Sequence, residues 1–507
     1  MDFDSQEQQS LTKETTITNH EEAAATAFDD RNPIILLILQ PYQWIKMLSH
    51  QLNPTFILGV VLVYGFSQGF SGAYFRVVGD YYWKEVQRVQ PSVVQLYIGF
   101  YYIPWIMKPL WGLLTDVFPV LGYRRRPYFI AAGVIGGVSA SVVAVTGGLP
   151  ASAAVVCLVG VAAGMAIGDV TIDACIAKNS VDVSALASDM QSLCGFCSSV
   201  GALIGYSTSG LFVHQLGPQM ALGLLAIPPA SMIILGFLIY EVKATSDVTQ
   251  KKVLGKVGDA IHNMLKTIKC PQVWKPSTYM YVSLALSIST HEGQFYWYTD
   301  PKSNGPAFTQ EFVGVVYAIG ALASIVGVLI YHKLLKDVPF RNILFFAQLL
   351  YGLSGMLDIM FVLRWNLKLG LPDYFFVVLE ECVSRIVTRI RWMPMIILST
   401  KLCPPGIEGT FFALLMCIDS LGFLSSKWAG GAVLHLLNVS RTNFRNLWLA
   451  ILIRNLLRLA TLSLIFLVPN VDPSDVLVSR DFLNKTSKGN IEEEALQLVP
   501  RKEEPEV

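Results

Sequence analysis

Two aspartates four residues apart, Asp169 and Asp173, interrupt an otherwise apolar run in "GDVTIDACIAKNS". A second run, "VVLEECVSRIVTRIRWMPMIIL", places Glu381, Arg385 and Arg389 at the same interval. Residues four apart share one face of a helix, so each set forms a charged stripe. Inside a bilayer each such charge costs about 2.5–3.5 kcal/mol on insertion scales and must face a partner or a hollow. A carboxylate held there can carry a coupling proton or accept hydrogen bonds from a bound solute. A guanidinium can clamp a carboxylate through two parallel hydrogen bonds. Glu381 before Arg385 is the favourable order for an ion pair along a helix, which leaves Arg389 as surplus positive charge. A buried network between helices, including Asp419, is an equal alternative for this stripe. For Asp173, pairing with Arg124–Arg126 at a helix end stands level with a role in a cavity.

The elements that must hold these charges are long and apolar. Of 507 residues, 53% are hydrophobic and only 15% charged, against about a quarter charged in soluble domains. That composition reads as an integral membrane protein. A net charge of +1 points to neither nucleic acid nor an acidic partner. A spanning helix needs about 20 mainly apolar residues. That length predicts spans near 54–76, 92–115, 127–147, 151–178, 188–214 and 218–241, then 274–298, 309–333, 340–363, 372–401, 408–438 and 443–468. The fold expected is an all-α membrane protein of about twelve transmembrane helices in two six-helix bundles. The bundles would occupy residues 51–241 and 274–468, joined by a linker over 242–273. Residues 1–50 read as a tail ending in an interfacial segment, "IILLILQPYQWIKML", too short and interrupted to span. Residues 469–507 read as a charged, disordered tail. Fifteen lysines and arginines fall in loops on the linker side and seven on the other, which assigns both termini to the cytoplasm.

Between the second and third spans lies "KPLWGLLTDVFPVLGYRRRP". Gly112 permits close helix approach, and Pro119 with Gly122 forces a turn. Asp116 could accept from a neighbouring helix N-terminus. With Arg124, Arg125 and Arg126 it could form a latch that closes the cytoplasmic mouth; plain positive-inside anchoring is the alternative for the arginines. A weaker copy, "GVLIYHKLLKDVPFR", follows the eighth span with Tyr331 in place of the aspartate. Gln68, among Gly65, Gly69 and Gly72, could bond a solute or join helices, and so could Gln191. Gly160, Gly164 and Gly168 make a small-residue packing seam beside Asp169. Tyr101, Tyr102, Trp105, Tyr296, Trp297 and Tyr298 could stack on a planar ligand, although clustered aromatics near helix ends more often form interfacial belts. Arg454 and Arg458 in the last span read as structural pairs or lipid contacts. The cysteines, including Cys194 and Cys197, read as buried small hydrophobes. No phosphate-binding loop or paired metal-ligand spacing occurs, so neither a cofactor nor a metal nor an enzymatic activity is expected.

The block "GFYYIPWIMKPLWGLLTDVFPVLGYRRRPY" resembles the folate–biopterin transporter family within the major facilitator superfamily. So do "GDVTIDACIAKNS", "QSLCGFCSSVGALIGYSTSG", "LCPPGIEGTFFALLMCIDSLG" and "NLWLAILIRNLLRL", in that order, over residues 50–468. The resemblance implies two pseudo-symmetric bundles that move folates or pterins by alternating access, with proton symport. A carboxylate such as Asp169 or Asp173 would then meet the 2-amino-pyrimidinone edge of a pterin or carry the proton. Arg385 would meet the glutamate carboxylates of a folate. Asp116 and Arg124–Arg126 form the candidate gate; Gln68, Asp169, Asp173, Gln191, Glu381 and Arg385 are the candidate substrate or proton residues. Membrane lipids and a small molecule are the partners expected. A carrier of another organic solute, or a non-transporting sensor on the same scaffold, are the alternatives.

Overall fold

The computed structural model describes residues 43–182, 186–241, 243, 270–402 and 408–470. The predicted tails and most of the linker lie outside them. The chain forms two compact units, Met1–Leu58 and Gly59–Val507. In the first, residues 43–51 are helical. Asn53 then caps a new helix, its Oδ1 accepting from the Thr55 amide at 3.0 Å and hydroxyl at 2.8 Å.

Twelve helical stretches follow the predicted spans. They are α1 (Pro54–Val86), α2 (Pro91–Phe100, Ile103–Ile106 and Lys108–Val117), α3 (Arg126–Val145), α4 (Ala151–Asp182), α5 (Asp189–Leu216) and α6 (Pro218–Leu238). After the linker come α7 (Pro271–Ala285 and His291–Thr299), α8 (Gln310–Leu335), α9 (Phe340–Val362), α10 (Asp373–Lys401), α11 (Glu408–Leu436) and α12 (Leu447–Leu467). Among the described residues nine of these are long and apolar enough to cross a membrane. The exceptions each have a physical reason. Pro104 and Pro109 lack an amide hydrogen and break α2 into three pieces. Unwound backbone at 286–290 breaks α7. α10 is continuous, but its stripe of charge makes it too polar to count.

The unwound part of α7 is tolerated because its backbone groups find partners on other helices. The Ser289 amide donates to the Ser426 carbonyl at 3.1 Å, and its carbonyl accepts from Gln95 Nε2 at 2.8 Å. The Ser287 carbonyl accepts from the Ser426 hydroxyl at 2.7 Å. α1 departs from expectation in another way, running ten residues past the predicted end at 76. Arg76 and Asp80 ended the apolar count there, yet both line an internal hollow rather than face lipid. At the α5–α6 corner Gly217 has φ +75°, a conformation that disfavours any side chain.

Helix packing repeats with a shift of six. α1 packs on α5 as α7 packs on α11, and α3 on α4 and α6 as α9 on α10 and α12. The two sets meet through an equivalent pair of seams, α2 on α11 and α5 on α8. Both seams need glycine. A Cβ on Gly314 would lie 3.0 Å from the Tyr206 carbonyl, and one on Gly431 would lie 2.7 Å from that of Ser92. The Gly160–Gly164–Gly168 seam packs α4 on α3 and α6, where a Cβ on Gly164 would lie 2.6 Å from the Ala132 carbonyl.

Candidate functional site

Between the two sets of helices lies a cavity of about 600 Å³, within the range of small-molecule sites. Charge reaches it from both sides of the linker. α1 contributes Arg76 and Asp80, and α7 contributes His291 and Glu292 just past its break. α10 supplies Glu381 and Arg385, α11 Lys427, and α12 Arg454 and Arg458. Hence the stripe read from sequence on α10 does face a hollow.

Arg385 Nε donates to Glu381 Oε1 at 2.5 Å, the pairing its spacing predicted. Arg389 leaves the stripe: its Nε donates to the Ser324 hydroxyl at 2.9 Å and its guanidinium lies 5.1 Å from the Trp392 ring. The Tyr317 ring lies between two cations, with the Arg76 guanidinium 5.3 Å and that of Arg385 5.7 Å from its centre. Tyr206 is a second aromatic neighbour of Arg385, at 6.0 Å. Cation–π contacts of this kind hold a guanidinium without neutralising it.

Across the cavity, His291 Nε2 meets Asp80 Oδ2 at 2.9 Å. Beside them Glu292 is fully buried, 0% exposed, and neither carboxylate oxygen has a hydrogen-bond partner. Its backbone amide donates to Gln95 Oε1 at 3.4 Å. One ligand atom from each of Asp80, His291 and Glu292 lies within 4.8 Å of the others.

α12 differs from its sequence reading as mere support. Arg454 does pair, with Asp358, and also donates to the Thr290 hydroxyl at 3.1 Å. But it and Arg458 both line the hollow, and Arg458 lies 3.9 Å from the Tyr351 ring. Arg391 donates to Gln348 Oε1 at 2.6 Å and to the Ser283 carbonyl at 3.1 Å. The aromatic residues also line the hollow more than they belt the surface. Tyr101, Tyr102, Trp105, Trp297 and Tyr298 all border it, while Tyr296 is buried with its hydroxyl on the Val89 carbonyl at 3.1 Å.

Asp169 and Asp173 belong to a separate cluster held by α1, α2 and α4. Lys108 pairs with Asp169, Gln68 donates to the same carboxylate, and the Tyr64 hydroxyl donates to Asp173. The structure therefore brings Gln68 to Asp169 but away from Glu381 and Arg385. Gln191 is exposed near the start of α5. The Asp116 side chain lies outside the described residues. In the arginine loop the Arg124, Arg125 and Arg126 amides all donate to the Glu241 carboxylate, at 2.7, 3.0 and 3.0 Å. Arg126 Nε also reaches the Ile239 carbonyl at 2.8 Å, and Arg125 Nη1 the Thr115 hydroxyl at 2.7 Å. This loop thus clasps α2, α3 and α6 of the first set.

Seven charged groups at these sites escaped the sequence reading: Arg76, Asp80, Lys108, Glu292, Asp358, Glu380 and Lys427. Arg76 and Asp80 are four apart, which would have signalled a stripe had α1 been extended. The other five lie inside predicted spans, where any ionisable residue is a signal.

Comparison with known proteins identifies the scaffold. The model of the BT1 family matches residues 68–482. "Probable folate-biopterin transporter 6" of Arabidopsis thaliana is 62% identical over 92% of this chain and 93% of its own length. "Folate-biopterin transporter" of Synechocystis is 30% identical over 82% of each chain. Among solved structures, the nucleoside transporter NupG superposes with a TM-score of 0.62 at 13% identity, covering 82% of this chain and 99% of its own. A D-xylose–proton symporter gives 0.57 at 14%, covering 82% and 97%. At such identities the likeness concerns the fold.

Proposed function

The chain belongs to the BT1 family, and from that premise we propose that it is a multi-pass secondary transporter of folates or pterins. It works by alternating access with proton symport, and it catalyses no covalent step. The observation that carries this reading is the charged, aromatic-lined cavity to which both sets of helices contribute. A pterin presents a flat ring with N–H donors on one edge, which suits aromatic faces beside carboxylates. A folate adds a glutamate tail, which suits Arg76 and Arg385, the two guanidiniums flanking Tyr317.

Two six-helix bundles divided at the linker 242–273 rock about this site. The face remote from the linker is closed by bonds between the sets. Lys84 Nζ donates to the Thr299 hydroxyl at 2.5 Å, Gln310 to Glu85 at 3.3 Å, and the Arg441 amide to Gln90 Oε1 at 3.0 Å. These bonds must break for the site to open on that side. Asp116 with Arg124–Arg126 would govern the other mouth, Glu241 fixing the arginine loop. Both termini would lie in the cytoplasm, a reading supported by the excess of basic residues on the linker side.

Purified protein in liposomes should accumulate labelled folate or biopterin saturably, and more strongly with an inward proton gradient. Arg385→Gln should raise the concentration needed for half-maximal folate uptake at least tenfold, and that for biopterin, which lacks the glutamate, far less. Absence of uptake of both compounds would remove the reading.

A further inference from the structure

Asp80, His291 and Glu292 form the one group of three or more such side chains, among the described residues, close enough to share a cation. They join opposite sets of helices, Asp80 from α1 and the other two from α7. A fully buried carboxylate with no hydrogen-bond partner is costly, and proteins resolve it with a proton or a bound cation. The surroundings discriminate between these. Imidazole is a poor ligand for sodium, calcium or magnesium, which favour all-oxygen shells. A transition metal would accept the imidazole, but two cations already lie in electrostatic range. Arg76 and Lys427 face both Asp80 and Glu292, and they balance the two carboxylates charge for charge. A divalent ion would leave the cluster with a surplus of two positive charges.

We propose that Asp80, His291 and Glu292 constitute the site of the coupling proton, with Glu292 as its acceptor. This deepens the transport reading and rests on it. A hydronium ion in the cavity gives up its proton: one of its O–H bonds breaks as an O–H bond forms at one Glu292 oxygen, leaving a water molecule and a neutral carboxyl group. The carboxyl then donates, and Asp80 and the imidazole are its nearest acceptors. Arg76 and Lys427 are left with one uncompensated positive charge on the cavity wall, ready for a substrate carboxylate. Proton and anion thus favour each other's binding, the reciprocity that symport requires. The remaining groups facing the cluster do not supply a competing acceptor. Tyr101 of α2, Tyr296 of α7 and Tyr317 of α8 are phenols, and Glu381 of α10 is engaged by Arg385. Glu380 of α10, farther along the cavity, is hydrogen-bonded to Asp358 and belongs to the Arg454 network instead. Release of the proton restores the charge pairing across α1 and α7. The inter-set bond between His291 and Asp80 therefore responds to the occupancy of a site beside it.

The test compares wild type with Glu292→Gln and Asp80→Asn in liposomes. Each variant should lose at least tenfold of gradient-driven folate accumulation while losing far less of the exchange of internal for external folate. A second readout needs no transport: infrared difference spectra of detergent-solubilised protein, recorded between acidic and alkaline pH. Wild type should show a titrating protonated-carboxyl band that Glu292→Gln removes and Glu381→Gln leaves in place. Full gradient-driven accumulation by Glu292→Gln, or an unchanged band, would overturn the proposal. So would stoichiometric zinc binding to wild type that His291→Ala abolishes. If wild type moves no folate but the band titrates and vanishes in Glu292→Gln, the transport reading fails and the proton site stands.

Discussion

Two of the buried polar clusters among the described residues are built in opposite ways. Lys108, Asp169, Gln68, Tyr64 and Asp173 lie on α1, α2 and α4, all before the linker, and each carboxylate has a donor. Asp80, His291 and Glu292 lie on α1 and α7, on either side of it, and Glu292 has no donor at all. The first cluster is arranged to stay closed as a unit of one bundle. The second, under the proposed mechanism, would change when the two sets of helices move or when charge arrives. A charge inside a membrane therefore marks function most strongly where its pairing is incomplete and shared between bodies that move.

Breaking each cluster should separate them by stability. Removing one partner of a buried ion pair costs about 3–5 kcal/mol, so Lys108→Ala should lower the thermal midpoint in detergent sharply. Adding Asp169→Asn should recover part of that loss, since Asp173 is then the one carboxylate left in the cluster and keeps the Tyr64 hydroxyl as donor. Glu292→Gln should melt at or near the wild-type midpoint, because the carboxylate it replaces accepts no hydrogen bond. A midpoint drop as large as that of Lys108→Ala would show that Glu292 is held by a structural partner.

The seams give the next largest effect. Gly314→Leu places a side chain against the Tyr206 carbonyl, an overpacking that costs about 1–3 kcal/mol. Because α5 on α8 and α2 on α11 are equivalent, Gly431→Leu should cost a similar amount in the same melting assay. A loss at only one seam would break the equivalence.

The smallest contrast lies within α10. Arg385→Lys keeps the charge but gives up the planar guanidinium beside Tyr206 and Tyr317 and its bond to Glu381. Folate affinity should weaken by about 0.5–2 kcal/mol. Arg389→Lys, directed at Ser324 and Trp392, should change affinity by less than about 0.5 kcal/mol. Equal effects in equilibrium binding would return Arg389 to the substrate stripe.

Much of this was legible in the sequence because lipid enforces length and composition. Nine of the twelve predicted spans fall on helices long and apolar enough to cross a membrane, and the spacing of Glu381 and Arg385 announced their pair. What escaped notice was partnership. Nothing in the spacing of "KPLWGLLTD" says that Lys108 meets Asp169 some sixty residues later, because that meeting depends on how α2 leans on α4. The end of α1 was misjudged for a related reason: Arg76 and Asp80 look like a loop when scored against lipid, and only a hollow makes their burial sensible. Likewise, the arginines of the 124–126 loop present their backbone amides to Glu241, a contact that side-chain chemistry alone does not suggest.

Under the proposed alternating access the closed seam remote from the linker is a working part, and that is the most direct place to test it. Lys84→Cys and Thr299→Cys, introduced together on opposite sides of that seam, can be bridged with a bifunctional thiol reagent in liposomes while labelled folate uptake is followed. Bridging should abolish uptake in the double variant, cleavage of a reducible bridge should restore it, and each single variant should be indifferent to the reagent. Undiminished folate uptake with the bridge in place would contradict the mechanism.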